Sequence, residues 1–224
     1  MASSESLPLP ERERACALFL STLLFSCAGV PVAPSVDPML QPTRGAPAPA
    51  SELLSRADAT VFVFWSAGCP CVRRYQARVD SLAAEWSSRG VAFVEISSNA
   101  GETLESLREA EHQRGLARVL WRDEGGSLAR QLGARSTPTV VLVRRDGEVL
   151  YRGWLDNERQ PGEDGREAWL ESALRGFVGG EPALTKSPTW GCTITRSLSS
   201  PVAPQCHVPS TEVASSAASP GGSP

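Results

Sequence analysis

The chain has 224 residues, 41% hydrophobic and 21% charged, with a formal net charge of −3. That length fits one domain or at most two with a sizeable core, and the weak negative charge gives no basic footprint for nucleic acid. No apolar run reaches the ~18–20 residues that span a bilayer, and six unevenly placed cysteines do not make a disulfide scaffold.

Residues 1–27 read as a signal segment. The apolar stretch Ala15 to Ser26 has the length of a secretory core and stops abruptly at Cys27. It resembles a bacterial lipoprotein signal, which implies cleavage and lipidation at Cys27 and an exported, periplasmic, membrane-anchored protein. The alternative is a disordered extension with apolar character. Residues 28–50 read as a Pro-rich linker. At the far end, residues 197–224 are rich in Ser, Pro and Ala and are expected to stay unstructured.

Between them, residues 51–180 alternate strand and helix signals. Val61–Trp65 is a continuous apolar, β-branched and aromatic run, hence a buried strand. From Pro70 to Arg89, the apolar residues Val72, Tyr75, Val79, Leu82 and Trp86 recur at spacings of three and four, one stripe of a helix closed by Gly90. Val91–Ile96 is the next strand and Thr103–Arg114 the next helix. Val119–Trp121 is a short strand and Ser127–Leu132 a short helix. Thr139–Val143 and Val149–Tyr151 form a hairpin around Asp146-Gly147, and Glu167–Phe177 is the last helix. The order predicts an α/β fold, a mixed central sheet with helices on both faces. Residues 181–196 form an extension in which Trp190, Cys192 and Ile194 are an unlikely set for a free tail. They are expected to fold back on the domain.

The chemistry sits at Cys69-Pro70-Cys71, where the first strand gives way to the first long helix. With Cys69 as N-cap, Pro70 takes the first helical position, and the Cys69 sulfur lies at the positive end of the helix dipole. Such a position lowers a thiol pKa, and Arg73 and Arg74 add positive charge. The alternative is a buried, inert pair. Thr137-Pro138 opens a strand after a turn and is a candidate cis peptide bond. Cys16 falls inside the signal segment, and Cys206, His207 and His112 read as solvated polar positions.

Phe64-Trp65, the cysteine at a helix start, Thr137-Pro138-Thr139, Asp146-Gly147 and the final helix together resemble the thioredoxin superfamily. Cys69-Pro70-Cys71 with Arg74-Tyr75, Gly90–Val94, Ser97-Ser98-Asn99, Tyr151–Asp156 and Gly191–Ile194 are similar to bacterial redoxin-domain proteins of the alkyl hydroperoxide reductase and thiol-specific antioxidant group. The resemblance covers about Ser51 to Arg196. It implies a thioredoxin fold, Cys69 as nucleophile, Pro138 facing it as a cis proline beside Thr137, and no cofactor. Two departures bear on activity. One residue rather than two separates the cysteines. Phe62, Ser66 and Pro138 stand where peroxiredoxins carry a proline, a threonine and an arginine that polarise peroxide.

Thiol–disulfide exchange needs a thiolate, a leaving sulfur and access, so the expected function is a thiol–disulfide oxidoreductase acting on protein thiols, disulfides or small dithiols. A thiol peroxidase is the alternative, and a Cu(I)-binding module, holding the ion on Cys69 and Cys71, a third. No other metal site is expected. The resolving cysteine is expected to be Cys71, which is adjacent however the extension lies, with Cys192 as its rival. Side chains at i and i+2 on a helix do not face each other, whereas Cys192 depends on how the extension docks.

Overall fold

The computed structural model describes residues 37–157 and 165–196. The signal segment with Cys16 and Cys27, and the tail with Cys206, lie outside the described residues.

Strand β3 (Ala59–Trp65) is the axis of the sheet, and all seven of its residues are buried. Its alternating side chains feed two cores: Val61, Val63 and Trp65 on one face, Phe62 and Phe64 on the other. A strand buried on both faces needs no polar alternation, which is why the sequence reads as a continuous apolar run. The helices α2 (Pro70–Ser87), α3 (Leu104–Arg114) and α5 (Trp169–Gly179) contribute to the first core. The short helices α1 (Ala50–Ser55) and α4 (Ser127–Gln131) contribute to the second.

β3 pairs in parallel with β4 (Val91–Ser97), which pairs in parallel with β5 (Leu120–Arg122). On the other side β3 pairs antiparallel with β7 (Thr139–Arg144), and β7 with β8 (Val149–Gly153). The mixed sheet with helices on both faces is the α/β arrangement that the thioredoxin resemblance implied.

Two features differ from the sequence reading, and a third goes beyond it. The first is the linker: its described part, 37–50, is folded. β1 (Met39–Pro42) pairs antiparallel with β5, and β2 (Ala48–Pro49) with β1, giving a seven-stranded order β2-β1-β5-β4-β3-β7-β8. Proline content suggested a spacer, but Leu40 is fully buried in the second core beside Ala48 and Leu53. Proline is tolerated at a strand near the sheet edge, where a missing N–H disrupts little. The second is the end of α2, which stops at Ser87 with Ser88 as C-cap; Gly90 makes the reversal two residues later at φ 76°.

The third is a small separate sheet, in which β6 (Ser136–Thr137) pairs antiparallel with β9 (Cys192–Thr193). β9 belongs to the extension, which therefore docks on the domain. Ile194 is buried in the second core, and Trp190 packs against the first. The backbone is fastened at several points: Ile194 N donates to Arg135 O at 2.9 Å, Ala100 N to Thr195 O at 2.7 Å, and Arg152 N to Thr185 O at 3.1 Å.

Candidate functional site

The β3–α2 junction carries Ser66-Ala67-Gly68-Cys69. Cys69 is the N-cap of α2, with Pro70 at the start of the helix as the sequence suggested. Its sulfur, however, makes no capping hydrogen bond to the helix. It is fully buried and turns instead toward the β6–β9 sheet, where the Cys69 thiol donates to Thr137 O at 3.2 Å. The Thr137–Pro138 peptide is cis.

On the same spot converges the extension. Cys192 Sγ donates to Cys69 Sγ at 2.7 Å, the closest approach of any two thiols among the described residues. Thr137 and Cys192 are direct partners in the β6–β9 ladder, and Thr137 Oγ1 donates to Cys192 O at 3.4 Å. Gly191 makes that approach possible. Its φ is +116°, and a Cβ there would sit 2.2 Å from Thr137 O. Behind the strand, Trp154 Nε1 donates to Trp190 O at 2.8 Å, and the two indole rings lie tilted at 43° with centroids 4.0 Å apart. Tyr75 and Trp169 extend the aromatic cluster on either side.

Cys69 and Cys192 are both free thiols. Cys71 is buried and disulfide-bonded, so its bond is with neither of them. The structure thus brings together Cys69, Thr137, Pro138 and Cys192, while Cys71 sits one helical step away with its sulfur already committed. Burial, then the hydrogen bond it gives Cys69 and the charge of that neighbour, push the Cys192 thiol up to about 12. Cys192 therefore keeps its proton at neutral pH.

Two side chains that sequence reasoning passed over shape the junction. Glu102, in the loop before α3, accepts from Ala67 N at 2.6 Å, Ser66 Oγ at 2.9 Å and Ser97 Oγ, and so fixes the turn that leads into Cys69. Arg114, the last residue of α3, donates to Ala67 O and lies over the Trp65 ring at 4.8 Å. Burial and the nearby Arg73 lower the Arg114 pKa, with Glu102 and Cys69 acting against them. Neither residue belongs to a local motif, because each reaches the site from another part of the chain. Beneath the junction, Trp65 Nε1 donates to Gln76 Oε1 and Gln76 Nε2 to Glu95 Oε1, both at 3.0 Å. Burial raises the Glu95 carboxyl, and Arg118 opposes that rise.

Chemically, two sulfurs in contact against a backbone carbonyl make a dithiol poised to close. Among the described residues no group of three or more His, Cys, Asp and Glu is arranged to hold a metal ion.

Comparison with known proteins gives a consistent picture. A sequence model of the AhpC/TSA family matches residues 34–152. No curated protein sequence matches the chain. Among solved structures, an uncharacterized conserved protein from Geobacillus kaustophilus is 26% identical with a TM-score of 0.64, covering 74% of this chain and 92% of its own. A hypothetical protein from Sinorhizobium meliloti 1021 is 26% identical with a TM-score of 0.63, covering 73% and 93%. The family match ends before Cys192, whereas the dithiol geometry depends on it.

Proposed function

Because the chain belongs to the AhpC/TSA family of thiol-dependent oxidoreductases and peroxidases, we propose that it is a thiol–disulfide oxidoreductase whose working couple is Cys69 and Cys192. The observation that carries this reading is the 2.7 Å contact between the two sulfurs. Closing a disulfide needs Cα atoms within ~7 Å and sulfurs that face each other, and antiparallel partners across β6–β9 hold Cys192 there.

The steps follow from the contact between the two sulfurs. The Cys69 thiolate attacks a substrate disulfide; one substrate sulfur leaves as thiolate and the other stays bonded to Cys69. Cys192 then attacks the Cys69 sulfur, closing Cys69–Cys192 and releasing the second substrate thiolate. The protein dithiol is oxidised by two electrons and the substrate disulfide is reduced by two. The proton of Cys192 passes to a departing thiolate. Two of the three causes that raise the Cys192 pKa are the hydrogen bond to Cys69 and the Cys69 charge. Both vanish once Cys69 is in the mixed disulfide; burial, the largest cause, stays, so Cys192 gives up its proton to the departing thiolate as it attacks.

The test is mass spectrometry of oxidised protein, with reduction of a model protein disulfide measured alongside. A Cys69–Cys192 linkage is expected. Cys69→Ser abolishes exchange, and Cys192→Ser accumulates mixed disulfides. A Cys69–Cys71 linkage, with normal turnover by Cys192→Ser, would return the resolving role to the Cys-Pro-Cys pair.

A thiol peroxidase is the second reading, favoured by one observation: Cys69 is 0% exposed. A small oxidant reaches such a sulfur more easily than a protein disulfide does. Attack on a peroxide gives a Cys69 sulfenic acid, which Cys192 condenses to the same disulfide with loss of water. Peroxide consumption driven by an added thiol separates the two. The apolar run before Cys27 supports export and lipid anchoring; cytosolic recovery of the unprocessed chain would remove that part of the proposal.

A further inference from the structure

Next to the segments that carry the dithiol is a cavity of about 340 Å³ lined by Gly133, Arg135, Thr139, Arg152, Lys186 and Thr189 with their neighbours. Three of its side chains are cationic and none is a carboxylate. It borders both strands that carry the site. Arg135 immediately precedes β6, Thr139 immediately follows Pro138, and Thr189 lies three residues before Cys192.

The cavity is built rather than incidental. Arg152 is half-buried, and its Nη1 donates to Leu132 O at 3.4 Å. Gly133, at φ +68°, leaves room for it, since a Cβ there would lie 2.2 Å from Arg152 Nη1. Lys186 is placed by the β-bridge between its own backbone and that of Arg152. Holding like charges together in this way costs free energy unless an anion joins them.

We propose that this cavity binds the carboxylates of a low-molecular-weight thiol, which serves as the reductant of the Cys69–Cys192 disulfide. The proposal rests on that disulfide being the oxidised form. Three residues of extended chain span at most about 10 Å, so a thiol of tripeptide size seated by its carboxylates reaches Cys192. Cys192 is also the more exposed residue of the two, 6% against 0% for Cys69. The thiolate of the bound molecule attacks Cys192 Sγ. The Cys69–Cys192 bond breaks, Cys69 leaves as thiolate, and a mixed disulfide forms on Cys192. A second thiolate of the same kind attacks the small-molecule sulfur of that mixed disulfide. This releases the symmetrical small disulfide, and Cys192 regains a proton. Two small thiols supply the two electrons.

The experiment uses full-length oxidised protein and follows the reappearance of free thiols. The probes are glutathione, its diethyl ester, 2-mercaptoethanol and cysteamine. Glutathione is expected to reduce the protein with saturation, and at least roughly tenfold faster at low concentration than its ester, the worth of one charge-assisted hydrogen bond. Salt should erode that advantage. Arg135→Glu and Lys186→Glu, both at exposed positions, should bring the glutathione-to-ester ratio to about one. Equal rates for acid and ester overturn the proposal, and so does a preference that survives both substitutions. If oxidation yields no Cys69–Cys192 linkage, the underlying couple is wrong and the proposal falls with it.

Discussion

At the scale of single residues, Cys192 decides how the site responds to pH. Unfolded, its thiol ionises near the ordinary value of 9.0; folded, it keeps its proton to about 12. Between those values the unfolded chain binds fewer protons than the folded one, so stability is fully present below pH 9 and is lost as the pH rises toward 12. Tyr75 and Tyr151, pushed up to about 12 from 10.0 chiefly by burial, add losses of the same sign only from pH 10 upward. Denaturant melts of reduced protein should therefore show a decline between pH 9 and 10 that is much smaller in Cys192→Ser. The same slope in both proteins would refute the assignment. Gly191 is the second test at this scale. In Gly191→Ala the new Cβ collides with Thr137 O and the φ of +116° becomes strained, at a cost of ~1–3 kcal/mol. The protein should still fold, but Cys192 is displaced, and oxidative closure onto Cys69 should slow by roughly tenfold to a hundredfold. Stopped-flow tryptophan fluorescence, with Trp154 and Trp190 as reporters, reads that rate.

At the scale of elements, what could be read in the sequence was whatever repeats or caps locally. β3 announced itself by apolar continuity, α2 by its stripe, the hairpin by Asp146-Gly147, and the Cys69 N-cap by Pro70. β1 did not, because a four-residue strand has too few alternations to outweigh neighbouring prolines. Its identity lies in where Leu40 is buried, which is a tertiary fact. Leu40→Ala separates the two readings: a residue in a linker changes stability by ~0.5 kcal/mol or less, whereas the fully buried Leu40 should cost about 2–5 kcal/mol. Chemical denaturation measures the difference. β9 was half legible. Trp190, Cys192 and Ile194 signalled docking, but nothing in their spacing named Thr137 as the partner strand. Glu102 and Arg114 were illegible, since contacts set by loop closure across the fold leave no local period. The sulfur of Cys69 shows a limit of another kind. The helix start was visible, yet the rotamer turns the thiol away from the helix amides and toward Thr137.

At the scale of the whole molecule, the two sulfurs stand 123 residues apart in sequence. A cross-link between them would enclose most of the folded chain as one loop. By chain entropy a loop of that size is worth about 4–5 kcal/mol, and strain in real proteins brings typical values to ~2–4 kcal/mol. Here the sulfurs already touch, so little backbone movement opposes closure. Oxidised protein should accordingly unfold at a higher denaturant concentration than reduced protein, and in Cys192→Ser the gap should shrink to what the separate Cys71 disulfide contributes. An oxidised form no more stable than the reduced one would argue against this pair as the redox couple.

The docking of β9 also has a consequence in time. Every other part of the centre, from Cys69 through Glu102 and Arg114 to Pro138, is synthesised before Cys192. Until the extension carrying Cys192 is made and seated, the growing protein carries the Cys69 sulfur without the strand that covers it. A chain clipped back by an exopeptidase to before Thr185 would return to that condition. On the proposed couple, the intact protein would store an oxidising hit as a reversible disulfide. The shortened one has nothing to capture the sulfenic acid, which goes on to the irreversible sulfinic and sulfonic states. If Cys192 resolves Cys69, the docked extension is thus what would make such damage repairable.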